Sequence, residues 1–260
     1  MKRYQLFEFE DLSWFPQNFR GMITDLLRFQ LEFLAVYDPV IPILVDLVKD
    51  EKTMQFTDLC SGSGGQWLTL HQRLQKKLGA PFKVLLTDKF PNPALRAHIR
   101  EVGGGVIDYC PEPVDVTDVS GELPGVRTMF SALHHFRPEQ VKMILADAAA
   151  KKAPIAVFEF TERKMVNLFR AGIGVPATAM MLTPFIKPFS WARLFWTYPA
   201  PVFPLVVLWD ALISHLRTYT PGELRLMVDQ TPSPGFTWKI GTVWSRKLFG
   251  RVIYLIGQPA

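Results

Sequence analysis

The stretch QFTDLCSGSGG, residues 55–65, decides the fold of this chain. An apolar-edged run ends at the acidic residue Asp58 and then breaks into glycine and serine. Glycine lets the backbone adopt conformations and approach distances that a Cβ forbids, and a helix after such a turn offers unpaired N–H groups to a ligand. We therefore predict a strand that ends at Asp58, a turn formed by Gly62, Gly64 and Gly65, and a helix beyond it.

A second short apolar run, PFKVLLTD at residues 81–88, also ends in an acid. In nucleotide-binding α/β folds a carboxylate at this place accepts hydrogen bonds from ribose hydroxyls. Asp58 and Asp88 are therefore predicted to frame one nucleoside-sized site.

Two common nucleotide motifs do not fit the turn. For the dinucleotide fingerprint G-x-G-x-x-G counted from Gly62, the third glycine falls on Trp67, and an indole there prevents the close helix–strand packing that glycine permits. No Gly-Lys-Ser/Thr follows the turn, as a P-loop requires. NAD held by that fingerprint and ATP held by a P-loop are therefore disfavoured.

The turn resembles motif I of the class I S-adenosylmethionine-dependent methyltransferases, in which an acid at a strand end precedes a glycine-rich turn. Cys60 stands where that family often has glycine. The resemblance covers roughly residues 53–163 and resumes near 218–257. It implies an α/β fold with a doubly wound, seven-stranded, mostly parallel sheet of the Rossmann-like type. It also implies S-adenosylmethionine as cofactor and S-adenosylhomocysteine as product.

The resemblance assigns ligand contacts residue by residue. Asp88 looks like the acid that binds the ribose, with Lys89 or Phe90 beside the adenine. Asp115, in VDVTDV, looks like the acid that meets the adenine amino group, and SALHHF, from Ser131, resembles the turn that faces the methyl donor. The implied cofactor-binding residues are Asp58, Cys60, Gly62, Ser63, Gly64, Asp88, Lys89, Asp115, Val116 and Ser131.

Two side chains are candidates for the reaction itself. Histidine acts as a base near neutral pH, so His134 in SALHHF is a candidate to take a proton from the acceptor; a histidine that only hydrogen-bonds backbone is the alternative. Tyr37 is the second candidate, against a packed aromatic with its hydroxyl at the edge. Methyl transfer is an in-line displacement, so orientation and desolvation supply most of the acceleration and a base is optional.

Strand and helix patterns alternate from residue 54 to residue 145, which indicates parallel strands joined by crossover helices. A glycine loop is predicted between the helix at 93–101 and the strand at 126–131, and the resemblance places the third strand before Asp115. The fifth strand, 155–160, is apolar throughout, as is typical of a strand covered on both faces. Two further strands are predicted at 236–243 and 252–256, the last of them antiparallel.

We predict three regions: a lead-in of two helices at residues 1–52, the methyltransferase domain at 53–163 and 218–260, and an apolar helical cap at 164–217. The prolines of this last segment predict a cap broken into short helices. They are Pro184, Pro188, Pro199, Pro201 and Pro204.

The apolar segment 164–217 has three interpretations: extra helices packed on the domain, a lid over an apolar substrate pocket, and a peripheral membrane contact. In the third, Lys187, Arg193 and Arg217 would face anionic lipid. A membrane span is disfavoured, because the uninterrupted apolar run 205–209 is far short of the roughly 20 residues needed to cross.

Composition narrows the class of protein. A chain of 260 residues with 48% hydrophobic residues can bury a large core and fits one enzyme domain with an insertion. Two cysteines without Cys-x-x-Cys spacing indicate neither a disulfide framework nor a metal site, and the N-terminus lacks a secretory pattern, so we predict a cytoplasmic protein. The net charge of +5 is scattered, which argues against a nucleic-acid partner. A lid with an apolar inner surface would admit a small, apolar acceptor. The rival functions are a cofactor-binding protein without turnover and a lipid-surface interaction module.

Overall fold

The computed structural model describes residues 1–49, 54–62, 64, 66–91, 95–187, 189–247 and 249–260. The predicted ligand contact Ser63, the turn residue Gly65 and the insertion proline Pro188 lie outside the described residues.

The described residues form one seven-stranded sheet with the strand order β3-β2-β1-β4-β5-β7-β6. Strands β1 to β5 pair in parallel, and β7 is antiparallel to both of its neighbours. The predicted seven-stranded, mostly parallel sheet is therefore confirmed. The strands are β1 Gln55–Asp58, β2 Lys83–Leu86, β3 Ile107–Tyr109, β4 Val126–Phe130, β5 Ile155–Glu159, β6 Phe236–Ser245 and β7 Gly250–Pro259.

Strand β3 lies before Asp115, where the family resemblance implies a third strand, although the strand and helix pattern alone gave only a glycine loop there. The strand is only three residues long, too short for an alternating pattern to stand out.

Helices cover both faces of the sheet, as a doubly wound fold requires. On one face α2 and α3 pack over Phe130, and on the other α5 and α9 pack over Met129, the preceding residue of β4. Neighbouring residues of a strand point to opposite faces of the sheet, so Phe130 and Met129 are each buried under a different pair of helices. The helices are α1 Gln17–Phe33, α2 Ile41–Val48, α3 Trp67–Leu78, α4 Leu95–Val102, α5 Pro138–Ala150, α6 Met165–Leu182, α7 Trp191–Thr197, α8 Val202–Arg217 and α9 Pro221–Asp229.

Trp67 fills the space between α3 and the sheet. Its buried indole packs on Phe56, with ring centroids 4.9 Å apart, and on Phe130 at 5.8 Å. A glycine in a dinucleotide fingerprint brings the helix close to the strand, and here a large side chain occupies that place.

The insertion is helical, but it is not a set of short pieces. Helices α6 and α8 are 18 and 16 residues long, so the prediction of short helices was wrong for both. Pro204 lies in the first turn of α8, where backbone N–H groups have no partner inside the helix, and it therefore does not break the helix.

Two of the cations expected to face lipid are buried in ion pairs. Arg193 Nη1 lies 3.0 Å from Asp25 Oδ2, and Arg217 Nη1 lies 3.0 Å from Glu8 Oε1. That part of the membrane interpretation was wrong, because both guanidinium groups hold the insertion to the N-terminal region. Lys187 is exposed.

Both ends of the insertion meet at the carboxyl edge of the sheet, just after β5. The hydroxyls of Thr161 and Thr218 are hydrogen-bonded, and Glu162 N lies 3.1 Å from His215 Nδ1. Ligands of doubly wound sheets bind beyond the carboxyl ends of the strands. The C-terminal end of α8 is thus placed beside the candidate site.

Candidate functional site

Asp58 ties the glycine-rich turn to the sheet. The carboxyl group is buried at the end of β1 and accepts hydrogen bonds from Ser61 Oγ and Thr128 Oγ1, both at 2.7 Å. Burial raises its pKa to about 6, against the opposing effect of these hydrogen bonds. Asp58 therefore fixes the turn against β4, and its contact with a cofactor stays a prediction.

The turn adopts left-handed backbone conformations at three described positions. The φ angles are +56° at Cys60, +53° at Gly62 and +75° at Gly64. Cys60, which replaces a glycine of the family motif, thus keeps the conformation that glycine favours. Burial, and then the nearby Asp88 charge, raise the pKa of the Cys60 thiol, so it stays neutral.

The two described glycines of the turn face different surroundings. A Cβ built on Gly62 would meet nothing within 4 Å, whereas one built on Gly64 would lie 2.3 Å from Leu86 Cδ1. Gly62 therefore borders open space, and Gly64 packs against β2. Asp88 bridges the two strand ends, because its Oδ2 accepts a hydrogen bond from Gly62 N at 2.9 Å.

Asp115 and Lys89 form an ion pair beyond β2 and β3. Lys89 Nζ lies 2.8 Å from Asp115 Oδ2, and Thr117 N donates to Oδ1 at 2.9 Å. The Lys89 and Thr117 hydrogen bonds lower the pKa of Asp115 to about 2. Asp115 is therefore an ionised acceptor, and Val116 beside it is buried. The adenine contacts of these residues remain predictions.

Tyr37 reaches the turn after β4. Its hydroxyl lies 2.6 Å from Ser131 Oγ, and its ring packs on Phe130 at 4.8 Å. Burial raises the pKa of Tyr37 well above its usual value, so the group stays a neutral phenol. The structure thus brings together Tyr37 and Ser131, two residues predicted for the site.

His134 pairs with Glu159 at the next strand end. Its Nδ1 lies 2.8 Å from Glu159 Oε2, and its backbone N donates to Oε1 at 3.2 Å. Its Nε2 lies 3.9 Å from Glu8 Oε1, so the ring lies between two carboxyl groups. Glu159 was missed from the sequence, although it ends an apolar strand just as Asp58 and Asp88 do.

The N-terminal segment, residues 3–11, covers this histidine. Arg3 Nη2 donates to His134 O at 3.2 Å, and Phe9 N donates to Asp210 Oδ1 on α8 at 2.7 Å. Glu8, which belongs to this segment, is buried. Glu8, His134 and His135 carry ligand-type atoms within 4.8 Å of one another, and Arg217 already supplies a positive charge to Glu8. The expectation of no metal site stays a prediction.

Docking of the N-terminal segment is expected to weaken as pH rises from about 4.5 to 9. Burial, and then Asp210, raise the pKa of Glu10 to about 8. For His135, burial lowers the pKa, but a hydrogen bond to Asp11 and the charge of Glu8 outweigh it and raise the value to about 9. A raised pKa in the docked state stabilises that state at low pH, and the stabilisation is lost as pH rises through the raised value.

Amide hydrogen exchange of residues 4–11, measured relative to β4 at each pH, tests this expectation. Protection should fall across the window, and Glu10→Gln combined with His135→Gln should flatten the fall. An unchanged ratio in the native protein would contradict it.

Comparison with solved structures identifies the fold. The chain aligns with the plantazolicin methyltransferase BpumL, solved in complex with S-adenosylhomocysteine, with a TM-score of 0.58 and 10% sequence identity, over 97% of this chain and 94% of that one. The chain has the class I S-adenosylmethionine-dependent methyltransferase fold.

Two further methyltransferase structures have the same fold. The CMeT domain of the citrinin polyketide synthase matches with a TM-score of 0.51 and 12% identity, over 96% of this chain and 59% of that one. An O-methyltransferase from neocarzinostatin biosynthesis was solved with S-adenosylmethionine and 2-hydroxy-5-methyl naphthoic acid. It matches with a TM-score of 0.50 and 14% identity, over 91% of this chain and 56% of that one. This chain thus spans little more than half of either. No family model and no curated protein matches the sequence.

Proposed function

We propose that this methyltransferase-fold chain transfers a methyl group from S-adenosylmethionine to a small, largely apolar acceptor. One observation carries the proposal: a single edge of the sheet holds both a glycine turn pinned by Asp88 and a histidine oriented by Glu159. The first is suited to a nucleoside and the second to proton removal.

The described residues fit the cofactor. Gly62 borders open space, and a carboxylate has about four lone-pair sites, so Asp88 can accept ribose hydroxyls in addition to Gly62 N and Phe90 N. Asp115 is an ionised acceptor for an exocyclic amine. When bound, S-adenosylmethionine supplies an electrophilic methyl group on a sulfonium.

The protein's own contribution is positioning and proton removal. Glu159 holds the His134 ring through Nδ1, so Nε2 is the nitrogen that would accept a proton from the acceptor's attacking atom. Nε2 lies 3.9 Å from Glu8 Oε1, so the acceptor would have to enter beside Glu8. His134 is only 3% exposed, and a site that excludes water strengthens such interactions. Tyr37 is hydrogen-bonded to Ser131, which lies three residues before His134 in the same turn. We keep the cytoplasm as the proposed location, which suits two cysteines that are both free.

Calorimetry with S-adenosylmethionine, S-adenosylhomocysteine and NAD tests cofactor choice. We expect binding of the first two and none of NAD. Asp88→Ala should weaken binding by roughly 1–3 kcal/mol, because ribose hydroxyls lose a charged acceptor. Asp46→Ala, which removes an exposed carboxylate that pairs with exposed Lys49, is the matched control. A preference for NAD would refute the proposal.

Turnover requires a second experiment. A screen with labelled S-adenosylmethionine over phenols, quinones, thiols, amines and lipids, read by mass spectrometry, should find methyl transfer to an apolar member. Cofactor binding without transfer to any acceptor would favour the rival function, a cofactor-binding protein without turnover.

A further inference from the structure

Helix α6 buries small side chains and exposes large apolar ones, which is the opposite of the usual arrangement in a soluble protein. Its small residues Ala171 and Ala179 are buried, whereas Phe169 and Met181 are each 70% exposed. The large exposed residues recur at helical spacing and so form one face. They are Val166, Phe169, Ile173, Met180 and Met181.

The exposed apolar surface continues beyond α6. Phe185 and Phe189 are exposed, and Trp191 at the start of α7 is 78% exposed. Tyr198, at the end of α7, holds this part beside α6 by donating a hydrogen bond to Met180 O at 2.6 Å. We call residues 165–195 with these side chains the apolar face. Soluble monomers rarely expose such a patch without a partner.

The charges of the apolar face have a single sign. Residues 165–209 contain no aspartate or glutamate, and Arg170 and Lys187 are exposed within the face. Exposed Trp, Phe and Tyr with flanking cations suit the head-group region of an anionic bilayer. In a symmetric dimer the same patch meets itself, so these cations would face like charges with no acid to pair them. A second copy of the chain is therefore the poorer occupant.

Helix α6 also passes the test for a membrane span. Met165–Phe185, which comprises α6 and the helical turn that follows it, is 21 residues long and apolar enough to cross a bilayer, and little of it is buried. However, its inner face packs on the protein: Gln30 Nε2 donates to Thr178 Oγ1 at 2.8 Å, and Ala179 joins a core with Phe203 of α8. Asp210 and Arg217 fix α8 to the N-terminal segment. Crossing a bilayer would require breaking these contacts, whereas lying on its surface would not.

We propose that the apolar face docks the protein on the surface of an anionic lipid bilayer, with α6 lying in the interface plane. Because α6 starts shortly after Glu159, docking would bring the candidate site close to the lipid. The apolar face contains none of the predicted cofactor contacts, so this proposal and the calorimetric test can fail separately.

Vesicle flotation tests the proposal. The wild-type chain should float with vesicles of phosphatidylcholine and phosphatidylglycerol, float less with phosphatidylcholine alone, and be released by alkaline carbonate. The double variant Phe169→Ser, Met181→Ser should bind roughly tenfold less or weaker still, because two large apolar side chains no longer enter the lipid. Met143→Ser, Leu226→Ser removes comparably exposed side chains from α5 and α9 and should bind like the wild type.

Four results would overturn docking. The first is that the chain floats with neither kind of vesicle, and the second is that the two double variants float equally well. The third is that alkaline carbonate does not release the chain. The fourth is that light scattering shows a dimer which the α6 variant converts to a monomer. The third would indicate a membrane span and the fourth a second copy as the occupant. Because every substituted side chain is exposed, thermal unfolding of the variants should match the wild type.

Discussion

Replacing His134 with glutamine is expected to lower kcat by roughly 10²–10⁴-fold, the usual contribution of a general base. The reason is geometric. Glu159 holds the ring through Nδ1, so Nε2, which lies 3.9 Å from Glu8 Oε1, is the nitrogen left for the acceptor. Glutamine can still donate to Glu159 but has no basic nitrogen to take a proton. Affinity for S-adenosylhomocysteine should stay unchanged, because His134 is not one of the predicted cofactor contacts, although Ser131 lies in the same turn.

The measurement is single-turnover methyl transfer to the acceptor found by the screen, with cofactor affinity by calorimetry. Glu159→Gln should cost roughly tenfold, since the ring stays in place but loses its charged partner. His98→Gln is the control, because His98 is exposed on α4. If His134→Gln slows transfer less than about threefold, His134 is not the base and the acceleration comes from orientation alone.

The strand ends of this fold could be predicted because their signals are local. An apolar run that stops at an acid marks Asp58 and Asp88, and both lie where the sheet ends. Cys60 departs from the family motif, which often has glycine at that position. The backbone at Cys60 is nevertheless left-handed, so the motif predicted the conformation although the residue differs. Glu159 carries the same signal.

The cover over His134 could not be predicted, because its contacts join distant parts of the chain. Phe9 and Asp210 are 201 residues apart in sequence, and Glu8 and Arg217 are 209 apart. No periodicity in one sequence sets the position of an irregular segment such as residues 3–11.

The orientation of α6 was equally hidden. A helix that is apolar nearly all round gives no contrast between faces, so its pattern does not say which side chains are buried. Only the packing of Ala171 and Ala179 in the structure settles this.

Gly64→Val is expected to destabilise the protein by about 2–6 kcal/mol. Two costs act together. A branched residue at a φ of +75° is strained by about 1–3 kcal/mol, and the new Cβ would lie 2.3 Å from Leu86 Cδ1 in a packed core, which adds about 1–3 kcal/mol of overpacking. Chemical denaturation of the ligand-free protein measures the sum. Loss of cofactor binding in this variant would therefore not by itself place Gly64 at the ligand.

Two further variants separate strain from the clash. Gly62→Ala also has a positive φ but meets nothing within 4 Å, so it should cost only about 1–2 kcal/mol. In a double-mutant cycle, Gly64→Ala and Leu86→Ala should together cost at least about 1 kcal/mol less than their separate effects predict, because the new methyl group enters the space that Leu86 leaves. If Gly64→Val were as stable as Gly62→Ala, the turn would not pack on β2, and the space at Gly64 would belong to the ligand instead.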